Sequence, residues 1–268
     1  MERERIDVLL VGRGLAESRS KAQALIMAGQ VRVDGKVVDK PGIRVAADAV
    51  IEVDATLPYV SRGGFKLRRA LDLFPVTVAG RICLDAGAST GGFTDCLLQA
   101  GAKLVIAVDV GYGQLAWKLR QDPRVVVMEK TNVRYLTVEQ LPARPSLLTA
   151  DLSFISIGKV LSVFTTLLTT DGELIALVKP QFEAGRTQVG KKGVVRSPAI
   201  HEEVLRRVLL MGPETGLGCL GLTYSPVLGP EGNIEFLVYW KKGVPDRGDL
   251  DPEAVVAEAW ENFKPKKD

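Results

Sequence analysis

The chain has 268 residues, 46% hydrophobic and 25% charged, which is enough apolar surface for a sizeable core and too much for a disordered chain. Its 35 Lys and Arg against 32 Asp and Glu give a net charge of +3, so any affinity for nucleic acid must come from where charge is placed. The length suits two domains better than one. Cys83, Cys96 and Cys219 form no Cys-x-x-Cys pair and sit in apolar surroundings, which argues against a zinc site or disulfide framework and points to a reducing cytoplasm. The apolar run from Val8 to Val11 is far too short for a signal peptide or a membrane span, and no later segment reaches ~20 uninterrupted apolar residues. With His201 the single histidine, histidine triads, metal sites and general bases are nearly excluded. The expected chemistry runs on Lys, Asp, Glu or a bound cofactor, without metal.

Residues 1–54 read as a small α+β domain. Ile6, Leu9, Leu10 and Val11 carry the stripe of a first helix that Gly12 and Gly14 end. Ser18 is placed to cap a second helix from Arg19 to Ala28, with Ala22, Leu25 and Ile26 inward and Gly29 as its stop. From Val31 to Val38, β-formers alternate about Asp34-Gly35, a strong hairpin signal, and Lys40, Pro41 and Gly42 turn the chain into a last strand through Ile51 and Val53.

The string Leu15, Ala16, Glu17, Ser18, Arg19, Ser20, Lys21, Ala22, followed by Leu25, Ile26, Gly29, Val31, Val33, Asp34, Gly35, Lys40, Pro41 and Gly42, resembles the αL-type RNA-binding domain of a small-subunit ribosomal protein, pseudouridine synthases and tyrosyl-tRNA synthetases. Its physical content is a helix start presenting Arg19, Ser20 and Lys21 beside Arg32 and Lys36 of the hairpin, donors suited to RNA phosphates. The segment holds nine basic and nine acidic residues, so counting charge does not separate an RNA face from solvated charges on a small domain. The order of the motif favours RNA.

Residues 55–60, with Pro58, read as a linker, 61–243 as a second domain, and 244–268 as a tail that forms one amphipathic helix or frays. In the second domain the apolar runs Ile82 to Leu84, Leu104 to Val108, Val125 to Met128, Leu147 to Ala150 and Leu174 to Val178 alternate with helical stretches. They predict a parallel sheet with crossover helices, a doubly wound α/β fold. Cys219 to Val227 and Ile234 to Trp240 flank a Gly-Pro-Glu-Gly-Asn turn and predict a terminal antiparallel pair, the methyltransferase variant of the Rossmann fold.

The densest signal is Asp85, Ala86, Gly87, Ala88, Ser89, Thr90, Gly91, Gly92, Phe93, Thr94, where a strand feeds a helix and glycines let a ligand approach the backbone. The spacing is not G-x-G-x-x-G and no Lys-Ser or Lys-Thr closes it, so a pyrophosphate is disfavoured. An acid ahead of the first glycine suits a cationic, amine-bearing ligand, and the sulfonium and ammonium of S-adenosylmethionine meet that requirement. Asp109 ends the next strand, 24 residues beyond Asp85 (109 − 85), about where a carboxylate meets ribose hydroxyls. The expected cofactor contacts are Asp85, Gly87, Ser89, Gly91, Gly92, Phe93, Asp109, Asn132 and Asp151. Strand-end capping stays open for Asp85 and Asp109, a turn role for Asn132, and core packing for Phe93.

Asp151 follows the fourth strand, Lys179 the fifth, and Glu235 begins the last, so all three can converge on the carboxyl edge of the sheet, where doubly wound folds bind ligands. Lys66 lies in Ser61, Arg62, Gly63, Gly64, Phe65, Lys66, Leu67, Arg68, Arg69, at the start of the domain's first helix. Lys179, if near Lys66 in a partly dry site, is suited to orient or deprotonate a ribose hydroxyl, with Asp151 and Glu235 balancing charge. Ordinary surface ion pairs are the competing reading for each member singly.

This domain resembles the FtsJ-like ribose 2′-O-methyltransferases, whose Lys-Asp-Lys-Glu tetrad falls on Lys66, Asp151, Lys179 and Glu235. An αL domain followed by Ser-Arg-Gly-Gly-Phe-Lys-Leu, Asp-Ala-Gly-Ala-Ser-Thr-Gly-Gly-Phe-Thr-Asp, Asp-Leu-Ser-Phe-Ile-Ser and Val-Lys-Pro-Gln-Phe-Glu is similar to the TlyA family over residues 1 to about 243. That resemblance implies S-adenosylmethionine-dependent 2′-O-methylation of cytidine in ribosomal RNA on ribosomal subunits; members have also been labelled hemolysins. Arg62, Arg68, Arg69, Lys191 and Lys192, in two basic stretches, are the expected RNA contacts of this domain, the second stretch reading as a mobile substrate loop. Phe65 is a candidate to stack on a flipped base and equally a core residue. The competing functions are an RNA-binding assembly factor with a vestigial methyltransferase fold and a membrane-active hemolysin, the latter without any amphipathic basic helix or spanning segment to support it.

Overall fold

A computed structural model describes residues 3–27, 29–53, 58–190 and 192–263. Ala28 at the expected helix end, positions 55–57 of the linker, Lys191 and the last five residues of the tail lie outside the described residues. The chain divides into two compact units, Met1–Gly64 and Phe65–Asp268.

The first unit runs β1 (Arg3–Arg5), α1 (Ile6–Gly12), α2 (Arg19–Met27), β2 (Val31–Val33), β3 (Lys36–Val38), β4 (Arg44–Ala46) and β5 (Ile51–Val53). Ser18 Oγ accepts the Lys21 backbone N–H at 3.2 Å, as an N-cap should. Asp34 and Gly35 have φ of +50° and +75°, the left-handed pair that a two-residue hairpin of this twist requires. β2 is flanked by β3 and β5, both antiparallel, and Ile6, Leu10, Ala22, Ile26 and Val31 are fully buried beneath. The short antiparallel pair β1–β4 has no counterpart in the sequence pattern, because three residues reading Arg-Glu-Arg carry no apolar alternation.

The second unit comprises α3 (Gly63–Leu73, whose first two residues fall on the other side of the division), β6 (Ile82–Ala86), α4 (Gly92–Gln99), β7 (Leu104–Val108), α5 (Trp117–Arg120), β8 (Val125–Met128), β9 (Leu147–Ala150), α6 (Leu161–Leu167), β10 (Glu173–Val178), α7 (Pro180–Glu183), α8 (Pro198–Glu214), β11 (Leu217–Tyr224), β12 (Phe236–Lys242) and α9 (Pro252–Asn262). The sheet order is β11-β12-β10-β9-β6-β7-β8, with β12 antiparallel to both neighbours and the remaining pairings parallel. The central strands are buried on both faces, which is why each reads as a continuous apolar run. Leu84, Ile106, Leu148, Phe164, Val238 and Trp240 form the middle of the core.

The terminal pair is displaced by about two residues from the expected runs. The Gly-Pro-Glu-Gly-Asn segment is a wide connection, not a tight turn. Ser225 N–H donates to Glu235 O and Gly229 N–H to Asn233 O, both at 2.8 Å, so Glu235 stands one residue ahead of β12. The described part of the tail carries one helix: Asp251 Oδ1 accepts the Glu253 and Ala254 N–H groups at 3.0 and 3.1 Å and starts α9, which buries Val256 and Ala259. No described helix is long and apolar enough to cross a membrane. Burial pushes the thiols of Cys83 and Cys219 up to about 12, so neither is a nucleophile near neutral pH.

Candidate active site

The strand registers gather the candidate residues at one edge. Ala86 pairs with Ala150 and Ala150 with Ala176, while Val178 pairs with Phe236 of the antiparallel strand. Gly87, Asp151, Lys179 and Glu235 are the residues just past those positions, so all four emerge at the carboxyl edge of the parallel strands.

At the end of β6 the backbone of Gly87 has φ of +83°, and a Cβ there would lie 2.5 Å from the carbonyl oxygen of Asp151. Any side chain would thus push apart the two loops that form the cleft. Ser89, also left-handed with φ of +48°, donates its backbone N–H to Asp109 Oδ2 at 2.8 Å, and Gly111 N–H donates to Oδ1 at 2.6 Å. Asp109 is thereby fixed just past β7 with acceptor capacity left on both oxygens. Gly87, Ser89, Asp109, Asn132 and Asp151 line a cavity of about 520 Å³, within the usual size range of cofactor sites. Asn132 serves in both expected ways: it faces the cavity and its Oδ1 accepts the Arg134 N–H at 3.1 Å. A cleft with a glycine cradle and a fixed carboxylate at Asp109, lined also by Arg134 and Lys159, fits a nucleoside whose ribose hydroxyls reach that carboxylate, as those of S-adenosylmethionine can.

Four expected contacts are not among the residues lining that cavity. Asp85 is fully buried, its Oδ2 accepting from the Thr94 hydroxyl at 2.7 Å and its Oδ1 from the Thr149 hydroxyl at 3.2 Å. Burial pushes its carboxyl up to about 7 against the pull of the two threonines, and the nearby Asp151 charge adds to the rise. The acid ahead of the glycines is therefore an internal tie between α4 and β9. Phe93 is 3% exposed and belongs to the core, and Gly91 and Gly92 shape the start of α4. At Gly91, φ is +100° and a Cβ would meet Leu119 Cδ1 at 2.2 Å. The cavity also contains Val110, Gln114, Arg134 and Lys159, which nothing in the sequence pattern singles out, and Ser153 and Phe154, which fall in the Asp-Leu-Ser-Phe-Ile-Ser string.

Lys66, Asp151, Lys179 and Glu235 form one continuous chain of ion pairs. Lys66 Nζ lies 2.6 Å from Glu235 Oε2 and 3.8 Å from Asp151 Oδ2, and Lys179 Nζ lies 2.6 Å from Asp151 Oδ1. Both lysines are 8% exposed and Glu235 is fully buried. Gly229 makes room for Glu235, since a Cβ there would meet Oε1 at 2.1 Å. That Oε1 has no hydrogen-bond partner among the described residues. Burial alone would raise the Asp151 carboxyl, but the fields of Lys66 and Lys179 outweigh it and hold the group below its ordinary value. Two ammonium and two carboxylate groups leave the quartet near neutrality, which is what makes four charges tolerable in a partly dry site.

The expected RNA contacts differ in how far other side chains already engage them. In the first unit Lys21 and Lys36 are exposed, Ser20 Oγ lies 3.0 Å from Ser18 Oγ, and Arg32 is half-buried. Arg19 Nε donates to Asp7 at 2.9 Å, helping Arg5 hold that buried carboxyl well below the usual range. Arg62 pairs with Asp39 at 3.2 Å. In the second unit Arg68 pairs with Asp72 one helical turn away. Arg69 is turned inward, stacked 4.1 Å from the Tyr224 ring centre and 3.6 Å from Glu258, so it ties α3 to β11 and α9. Lys192 is exposed, and Phe65 is half-buried.

A doubly wound sheet with an antiparallel strand beside its last parallel one, a glycine cradle and a Lys-Asp-Lys-Glu quartet define a methyltransferase. A family model described as FtsJ-like methyltransferase matches residues 59–242, and one described as S4 domain matches residues 4–51. The chain is 52% identical to the YqxC protein of Bacillus subtilis over 99% of this chain and 97% of that one. It is 49% identical to the 16S/23S rRNA (cytidine-2′-O)-methyltransferase TlyA of Mycobacterium tuberculosis over 91% of this chain and 92% of that one. A solved structure from Streptococcus thermophilus that carries the hemolysin label is similar with a TM-score of 0.78 and 46% identity, over 98% of both chains. The chain belongs to the TlyA family of FtsJ-like methyltransferases.

Proposed function

We propose that this protein transfers a methyl group from S-adenosylmethionine to the ribose 2′-hydroxyl of cytidine in ribosomal RNA, acting on ribosomal subunits in the cytoplasm. The observation that carries the reading is the ion-paired quartet of Lys66, Asp151, Lys179 and Glu235 beside a cavity that Asp151 also lines. When bound, S-adenosylmethionine supplies an electrophilic methyl carbon whose bond to sulfur breaks as its bond to oxygen forms. Gly87 and Ser89 would admit the ligand against the backbone, and Asp109 would accept from its ribose hydroxyls. Lys179, as an ammonium paired with Asp151, would orient the substrate 2′-hydroxyl by donating to its oxygen, the hydroxyl proton leaving to solvent as the oxygen–carbon bond forms, with Asp151 fixing that lysine and Glu235 fixing Lys66. Residues 1–54, joined by 55–60 to the catalytic domain 61–243 and its tail 244–268, would hold the RNA through Lys21, Lys36 and their neighbours.

The test is transfer of labelled methyl to unmodified ribosomal subunits by the wild type and by Lys179→Ala, with the product mapped for 2′-O-methylribose. Label in RNA that disappears with Lys179→Ala is expected. Cofactor binding without label on either subunit would point to a different RNA, and no cofactor binding at all would leave an assembly factor that retains the fold.

A further inference from the structure

Beyond the quartet, the loop after β9 is gripped at two points by the segment that carries Lys179. Lys179 Nζ donates to Ser153 Oγ at 2.9 Å in addition to its pairing with Asp151. Four residues further on, the Glu183 carboxylate accepts from the Ser156 hydroxyl and from the Ile157 backbone N–H, each at 2.7 Å. Lys179 and Glu183 are the N-cap and last residue of the single-turn helix α7. Between the two grips Phe154, 91% exposed, adopts φ of +63°, a left-handed conformation that a bulky L-residue seldom takes. Its ring packs against that of Phe182, centres 5.1 Å apart. Ser153 thus stands in a turn that Glu183 braces from its far side, and it lines the cavity.

A lysine ammonium has three N–H groups on a flexible stem. Held by Asp151 alone, its nitrogen would swing about one carboxylate oxygen. A second acceptor on the loop that Glu183 anchors fixes the nitrogen and leaves one remaining position, aimed away from both partners, for a substrate hydroxyl. We infer that Ser153 is a positioning residue for Lys179 in the methyl-transfer step, kept in place by Glu183. The inference rests on the function proposed above and adds the group that orients its central lysine.

Single-turnover methylation of ribosomal subunits by the full-length wild type, S153A, S153T and E183Q, together with calorimetric S-adenosylmethionine affinity for each, tests it. An inactive wild type would fail the functional reading itself and is told apart from every outcome below. With an active wild type, S153A should slow the saturated rate about tenfold, the effect of removing one hydrogen bond to a charged group, at a cofactor Kd within about twofold of wild type. S153T, which restores a hydroxyl, should recover most of the rate, and E183Q should fall between. A rate for S153A within about twofold of wild type overturns the inference, as does a slower rate matched by weaker cofactor binding or one that S153T does not repair.

Discussion

Asp85→Asn separates an internal tie from a ligand contact. In the folded chain burial raises this carboxyl to about 7, against an ordinary value of 3.8. Between pH ~4 and ~7 the folded state then holds a proton that the unfolded state has released, so ionisation of Asp85 lowers stability as pH rises through that window and adds nothing further above it. The gap between the two values corresponds to roughly 4 kcal/mol at most. Asparagine is isosteric, keeps an oxygen for one threonine hydroxyl and cannot ionise. Urea denaturation of wild type and D85N at pH 5, 6, 7 and 8 cancels the groups common to both. D85N should gain on the wild type between pH 5 and about 7, by on the order of 3 kcal/mol, and level off by pH 8. A wild-type minus D85N difference that does not move with pH refutes the reasoning. Since Asp85 is not among the cavity residues, cofactor affinity should change only a few-fold. A hundredfold weakening would instead place its carboxylate on the ligand's positive charge.

His201 is the mirror case: burial lowers it to about 4, its Nδ1 accepts from Trp260 Nε1–H at 3.0 Å, and its ring meets Phe236 edge-on. The unfolded chain takes up a proton near pH 6.5 that the folded chain refuses, so stability is lost as pH falls from about 6.5 to 4, by up to roughly 3 kcal/mol. Thermal unfolding of His201→Phe that retains the wild-type slope over this range would exclude His201 as the source. On the RNA side, Lys21→Ala and Lys36→Ala should each lower the slope of log affinity against log salt by about 0.7 to 0.9 for every phosphate the lysine neutralises. Arg69→Met should leave that slope intact while lowering the unfolding temperature, because methionine neither stacks as a cation on Tyr224 nor pairs with Glu258. Equal salt slopes for wild type and the lysine variants would move the interface off the helix start and hairpin.

Much of the molecule is legible in its sequence because burial leaves a simple mark there. Strands buried on both faces have no polar side, so β6, β7, β9 and β10 stand out as apolar runs, and glycine is demanded where φ is positive or backbone approaches backbone. Direction is harder to read. Arg68 and Arg69 are neighbours on α3 about 100° apart around the axis, one beside solvent and Asp72, the other against Tyr224, and their shared charge says nothing about which is which. Asp85 similarly looks like a ligand contact from its place before the glycines, when the decisive fact is two threonine hydroxyls, one on α4 and one on β9, 64 residues away. Ser153, Phe154 and Glu183 fall in recognisable strings, but their roles are not legible there, because a non-repeating turn has no periodicity to show which side chains it brings together.

The placement of Glu235 shows why the antiparallel strand matters to the chemistry. In a wholly parallel sheet the catalytic edge receives only residues that follow strands, so every candidate must come from a strand-to-helix turn. β12 runs the other way beside β10, and the pairing of Val178 with Phe236 brings the beginning of one strand level with the end of the other. Glu235, ahead of β12, and Lys179, after β10, thus reach the same edge from opposite chain directions. The wide connection from Ser225 to Glu235, with Gly229 packed against the carboxylate, lets a fully buried glutamate enter the site without a side chain in its way. Lys66 then meets Glu235 from α3 at 2.6 Å, and the quartet is assembled from a helix, two strand ends and one strand beginning. Such an arrangement can hold two lysines close to Asp151 only because no single element has to carry two members of the set, so each is fixed by the packing of its own strand or helix.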